Sequence, residues 1–227
     1  MIISAIIFAI TMGVRQSLGL FIAPINSSLG FDIVSISFAL AIGQFIWGLA
    51  QPIFGAIADK KGSIGVLIFG AFLMFFGLVL TPFVKSDFGL ILTLGILSAA
   101  GAGAGSFSIL IGASAKQMPI EKRAFAGGFI NAGGSFGQFI FAPLSQAIIN
   151  GFGWVYAMFT LAITTLFTIP LAYLLKNKER REKFYLYYSE HIINIKNRLE
   201  NKNINLGKYN IFLITDEQIP AFLEKEK

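Results

Sequence analysis

The chain has 227 residues, 55% of them hydrophobic and 13% charged, with a mean hydropathy of +0.72. An ordinary soluble domain carries about 25% charged residues, so the composition points to a membrane protein, and the net charge of +6 does not call for nucleic acid. The absence of Cys excludes disulfides and thiolate metal sites, and a single histidine, His191 in the tail, excludes bis-histidine haem, a multi-histidine zinc site and a histidine-activated nucleophile inside the membrane. Nothing in the chain calls for a cofactor or a resident metal.

Six apolar runs follow one another, near 2–25, 33–58, 64–84, 89–115, 124–148 and 154–175. Each approaches or exceeds the ~20 residues that an α-helix needs to cross the hydrocarbon layer. The first run starts almost at Met1 with no basic segment before it and no small-residue cleavage site. It therefore reads as a retained span, not a signal peptide. Turn-like residues Asn26-Ser27-Ser28-Leu29-Gly30 and Asn150-Gly151-Phe152-Gly153 separate spans one from two and five from six. Lys60, Lys61, Lys116, Lys122 and Arg123 lie in loops on one side, as do the lysines and arginines that open the tail. The opposite loops hold only Lys85, with Asp32 and Asp87. That asymmetry places both termini and the basic loops in the cytoplasm.

Arg15 is the deepest charge of the six runs. At 1.5 Å per residue it lies about 20 Å along a helix that begins near Ile2, a position that costs roughly 2.5–3.5 kcal/mol on insertion scales. A guanidinium there needs a wet cavity, an acidic partner, an anionic substrate, or a route to the headgroups by snorkelling. The four acidic residues before the tail, Asp32, Asp59, Asp87 and Glu121, all lie at the ends of runs. Gln16 adjoins Arg15 but points about 100° away on a helix, so the two need not share a cavity. Gln44 and Gln51 stand seven apart on one face of span two, and Asn131 and Gln138 repeat the spacing in span five. Their amides suit carboxylate or water recognition, and equally interhelical hydrogen bonds.

The second-to-third-span loop reads Gly55-Ala-Ile-Ala-Asp59-Lys60-Lys61-Gly62-Ser63-Ile64-Gly65. Span four carries Gly101-Ala-Gly103-Ala-Gly105-Ser106. A phosphate nest is a poor reading of it, because no strand precedes and no lysine-serine pair follows; close helix packing beside a cavity is the better one. In span five, Gly133 and Gly137 form a small-xxx-small pair, and Pro143 removes an intrahelical hydrogen bond and can bend the helix.

These features resemble the major facilitator superfamily. The loop matches that family's Gly-x-x-x-Asp-(Arg/Lys)-x-Gly signature at Gly55, Asp59, Lys60 and Gly62, on the cytoplasmic side between spans two and three, where the family has it. Ser63 and Gly65 stand where basic residues are usual. The fifth span is similar to the family's Gly/Pro-rich helix, with Ala142-Pro143 in place of the usual Gly-Pro pair, and the arginine common in the family's fourth span is missing. Residues 13–21, Gly-Val-Arg-Gln-Ser-Leu-Gly-Leu-Phe, resemble the oxalate/formate and monocarboxylate branch. The resemblance implies an all-α membrane bundle of six helices over residues 1–175, one half of a facilitator. It also implies a small-molecule substrate, an organic anion in the branch resembled, moved by alternating access, with Asp59 latching the cytoplasmic gate.

The tail, residues 176–227, holds eleven of the eighteen basic residues and eight of the twelve acidic ones. Phe184, Tyr188, Ile192, Ile195 and Leu199 recur at helical spacing, as in an amphipathic helix on the cytoplasmic bilayer surface. No seventh span precedes Lys227. The expectation is a half-transporter of a bacterial inner (plasma) membrane that works as a homodimer, with a separately encoded second half, or not at all as a truncated remnant. The rivals are a non-transporting scaffold and a rhomboid-type protease suggested by Gly105-Ser106. The protease needs a membrane histidine to activate its serine, and His191 lies beyond the last span.

Overall fold

The computed structural model describes residues 1–115 and 120–175; the expected amphipathic helix of the tail lies outside the described residues. The described chain is six helices with no strand among them: α1 Ile2–Leu29, α2 Ile33–Lys61, α3 Ser63–Phe83, α4 Asp87–Ser114, α5 Ile120–Phe152 and α6 Trp154–Leu175. Five of them, all but α5, are long and apolar enough to cross a membrane. At 33 residues α5 spans about 50 Å. Its lower apolarity has a visible source in six glycines together with Asn131, Ser135 and Gln138.

The turns are tighter than the turn-like sequences suggest. Helix α1 runs through Asn26–Leu29 and stops only at Gly30, which takes φ +72° and donates its N–H to the Asn26 carbonyl at 3.1 Å. Asn26 Nδ2 then donates to the Phe31 carbonyl at 2.7 Å, satisfying an acceptor beyond the helix end. Gly62 alone joins α2 to α3, and Gly153 alone joins α5 to α6, at φ +93° and +91°. A residue with a Cβ is strained in that region, so a single glycine does the work of a loop. The helices continue unbroken through Pro52 and Pro143.

Two pairings are the most extensive, α2 against α4 and α1 against α5. The contacts of α1 with α5 keep a constant offset of 128 residues: Ala5 meets Gly133, Ala9 meets Gly137 and Gly13 meets Phe141. A constant positive offset means that the two helices run parallel and in register. A Cβ at Gly133 would lie 2.7 Å from the Ala5 carbonyl, and one at Gly137 would fall onto the backbone of Ala9. Only glycine permits backbones this close, as in small-xxx-small membrane pairs.

Helix α4 is the irregular member. It is π-helical from Ile91 to Ser98 and breaks its regular ladder at Gly105 and Ser106. The π segment is squeezed from two sides, since Cβ atoms at Gly95 and Gly77 would lie 2.8 Å from the Ala39 carbonyl and 2.7 Å from the Ser98 amide. Below it, Cβ atoms at Gly101 and Gly103 would lie 2.6 Å from Met74 and from Ala50, which gives the glycine run of span four a packing role against α3 and α2. Outward positions carry the large apolar residues that lipid contact needs, among them Phe69, Phe72, Phe76, Ile163 and Phe167.

Candidate functional site

The bundle places Arg15 near the middle of α1, thirteen residues from its start and fourteen from its end. Its neighbour across the helix interface is α2, where Gln44 and Trp47 stand three apart and therefore on one face. Arg15 Nη2 donates to Gln44 Oε1, and the Arg15 guanidinium carbon lies 4.2 Å from the centroid of the Trp47 ring. The amide fixes one edge of the guanidinium and the aromatic face holds its plane. Such a contact contributes roughly 0.5–2 kcal/mol, more when water is excluded. The Trp47 indole N–H is buried without a hydrogen-bond partner among the described residues. The ring therefore serves here as an apolar and π surface, and its polar edge is an uncompensated cost.

Arg15 and Gln44 open onto a cavity of about 180 Å³ between α1, α2 and α4. Gly43 lets α2 approach α4 beside it, and α4 contributes Leu94, Ser98 and Ala99. Gln16 also lines this cavity. The helical-wheel angle separated it from Arg15, but the space is broad enough to take in both residues.

No carboxylate of the described helices is near the guanidinium along α2. Asp32 lies twelve residues before Gln44 and Asp59 fifteen after it, about 18 Å and 22 Å along the axis. The site thus presents a fixed positive charge with amide and hydroxyl neighbours. Chemically it can hold a small anion by charge-assisted hydrogen bonds. Among the described residues no cluster of His, Cys, Asp or Glu could hold a metal ion.

The two span-five amides stand elsewhere. By the α1–α5 register, Asn131 is level with Ile3 and Gln138 with Ile10, so they lie about 18 Å and 7.5 Å from the level of Arg15 along the bundle. Neither lines the Arg15 cavity; Asn131 is exposed and Gln138 half-buried. Pro143, exposed on α5, is the residue level with Arg15. Gly133 and Gly137 face α1. Of the loop signature, Gly55 is half-buried within α2, Asp59 and Lys60 are exposed in its last turn, and Gly62 forms the turn itself.

A helical bundle with such a turn at its second junction and glycine-mediated pairing of its first and fifth helices can now be set beside known proteins. The sequence matches the Major Facilitator Superfamily over residues 3–187. The chain belongs to the major facilitator superfamily. Among curated relatives, monocarboxylate transporter 13 of Rattus norvegicus is 27% identical over 168 residues, covering 74% of this chain and 39% of the relative. The oxalate:formate antiporter of Oxalobacter formigenes is 27% identical over 179 residues, 78% of this chain and 42% of its own. Monocarboxylate transporter 11 of Mus musculus is 26% identical over 178 residues, with 77% and 39% covered. The chain thus spans about two fifths of the length of these relatives. It is a multi-pass, all-α membrane protein of this superfamily.

Trp47 and Ser98 are site residues that sequence reading passed over, and Ser98 is the harder of the two to find. Serine in a glycine- and alanine-rich span looks like packing, and no spacing rule marks it. The one available signal is that it falls within the apolar run one turn before the glycines.

Proposed function

We propose that this facilitator chain forms one wall of an alternating-access pathway for a small organic anion, a monocarboxylate foremost, with Arg15 and Gln44 as the substrate-facing pair. The observation that carries this reading is the Arg15 guanidinium, held against Trp47 by Gln44 at a cavity near mid-bundle, with the acidic residues of α2 about 18 Å or more away. A half-buried cation so placed gains most from an anion that arrives with its own charge. The names of the relatives, monocarboxylate transporters and an oxalate:formate antiporter, support the same substrate class. The positive-inside asymmetry supports cytoplasmic termini, and the membrane assigned on this reading is the bacterial plasma membrane. On this reading Asp59, Lys60 and the Gly62 turn belong to the cytoplasmic gate. The opposite wall is a second six-helix half of the facilitator kind.

The test is uptake of labelled formate and oxalate into proteoliposomes, with this chain alone and with a complementary six-span half co-expressed. Arg15→Gln is expected to lower uptake at least about tenfold, equivalent to ~1.4 kcal/mol of lost substrate or transition interaction, with assembly intact. Equal uptake by Arg15→Gln removes the anion role, and no uptake in either arrangement sinks transport.

A further inference from the structure

Most buried hydroxyls in this bundle are occupied. Thr11, Ser17, Thr81, Thr93, Thr165 and Thr168 each donate to a carbonyl three or four residues earlier, at 2.7–2.9 Å. This is the usual fate of serine and threonine in membrane helices. Ser98 departs from it. The residue is 1% exposed, its hydroxyl makes no hydrogen bond to another described residue, and it lines the Arg15 cavity. Its oxygen is not fully enclosed by protein, and it faces the cavity.

The local backbone accounts for the difference. Ser98 ends the π-helical stretch Ile91–Ser98, whose i→i+5 bonding rotates the residues beyond it relative to an α-helix. Close approach of Gly77 to the Ser98 amide fixes that register. The result is a buried donor, fixed in place, across a small space from a guanidinium.

Resting on the anion reading above, we propose that Ser98 is a second anchor of the substrate carboxylate, donating its hydroxyl to one oxygen while Arg15 takes the other. Gln44 now holds the guanidinium through its carbonyl, and its amide NH2 remains available as a further donor. The cavity limits the ligand. A void of 150 Å³ lined by apolar side chains accommodates a benzene-sized molecule, so about 180 Å³ suits a short carboxylate of a few heavy atoms.

The test is ligand-observed binding, which does not depend on a second half being present. Line broadening of 13C-formate and 13C-acetate is titrated against the full chain in nanodiscs, with chloride matching ionic strength, and thermal unfolding is followed for every variant. The parent chain binds saturably. Ser98→Ala weakens binding about tenfold, the scale of one hydrogen bond to a charged group, without lowering thermal stability, because no protein partner is lost. Ser145→Ala removes a buried hydroxyl outside the cavity and leaves binding within twofold. Formate affinity in Ser98→Ala within twofold of the parent overturns the anchor role while the Arg15 reading stands. A parent chain that binds neither acid, or an Arg15→Gln chain that binds both as well as the parent, overturns that reading and the anchor with it.

Discussion

Replacing Gly137 by Ala tests whether the α1–α5 interface holds the bundle together. A methyl at that position would fall onto the backbone of Ala9. The magnitude can be worked at the adjacent contact, where a Cβ at Gly133 would meet the Ala5 carbonyl at 2.7 Å and ordinary contact begins at 3.4 Å, a shortfall of 0.7 Å. Helices forced apart by that much lose a quarter to a half of the dispersion well at each atom pair of the interface. Since this pairing is one of the two largest in the bundle, overpacking should cost about 2–3 kcal/mol. Gly48→Ala in α2 is the matched control, because nothing lies within 4 Å of its added methyl. There the gain in helix propensity should stabilise by up to about 1 kcal/mol. Equilibrium unfolding in mixed micelles, followed by circular dichroism, should therefore show shifts of opposite sign. A Gly137→Ala chain at least as stable as the parent refutes the close-packed interface.

Trp47 separates ring from N–H. Trp47→Phe keeps an aromatic face under Arg15 and deletes a buried, unpartnered donor, so formate affinity should stay within about threefold and stability should hold or rise. Trp47→Leu removes the face and should weaken formate binding about tenfold; equal binding by both variants would show that the stacking is incidental. At the α2–α3 junction, Gly62→Ala should destabilise by about 1–3 kcal/mol from backbone strain alone, because φ is +93° with open space around the Cβ position. Gly65→Ala, equally unhindered but helical, should not; equal unfolding midpoints for the two would contradict the turn.

The fold was largely legible because its determinants are one-dimensional. Runs of apolar residues set helix number, and glycines at 30, 62 and 153 end helices for reasons of backbone sterics that a single residue carries. Gly133 and Gly137 were also readable, since a four-residue repeat of small side chains specifies a helix face. The site was harder. Arg15 stood out by its depth, and Gln44 by its face, but a seven-residue spacing gives direction around a helix and no height relative to a neighbour. Asn131 and Gln138 matched the face rule but stand at other heights from Arg15, which only the 128-residue register of α1 and α5 reveals. Ser98 was illegible for another reason. A π segment shifts every later residue around the axis, and no ordinary periodicity anticipates that shift.

The interlocked backbones of α1 and α5 bear on how the bundle can move. With a small residue at every fourth position, α1 can slide along α5 without parting from it only in steps of one repeat, about 6 Å. Small fluctuations cannot supply such a step in a close-packed contact. The pair behaves as a strut, and Arg15 is mounted on it. Leu94 and Ser98 are mounted on α4, whose π segment is clamped between Ala39 of α2 and Gly77 of α3. The gap between cation and hydroxyl is then set by two close-packed contacts, α1 on α5 and α4 between α2 and α3, and an anion bridging that gap would couple one to the other.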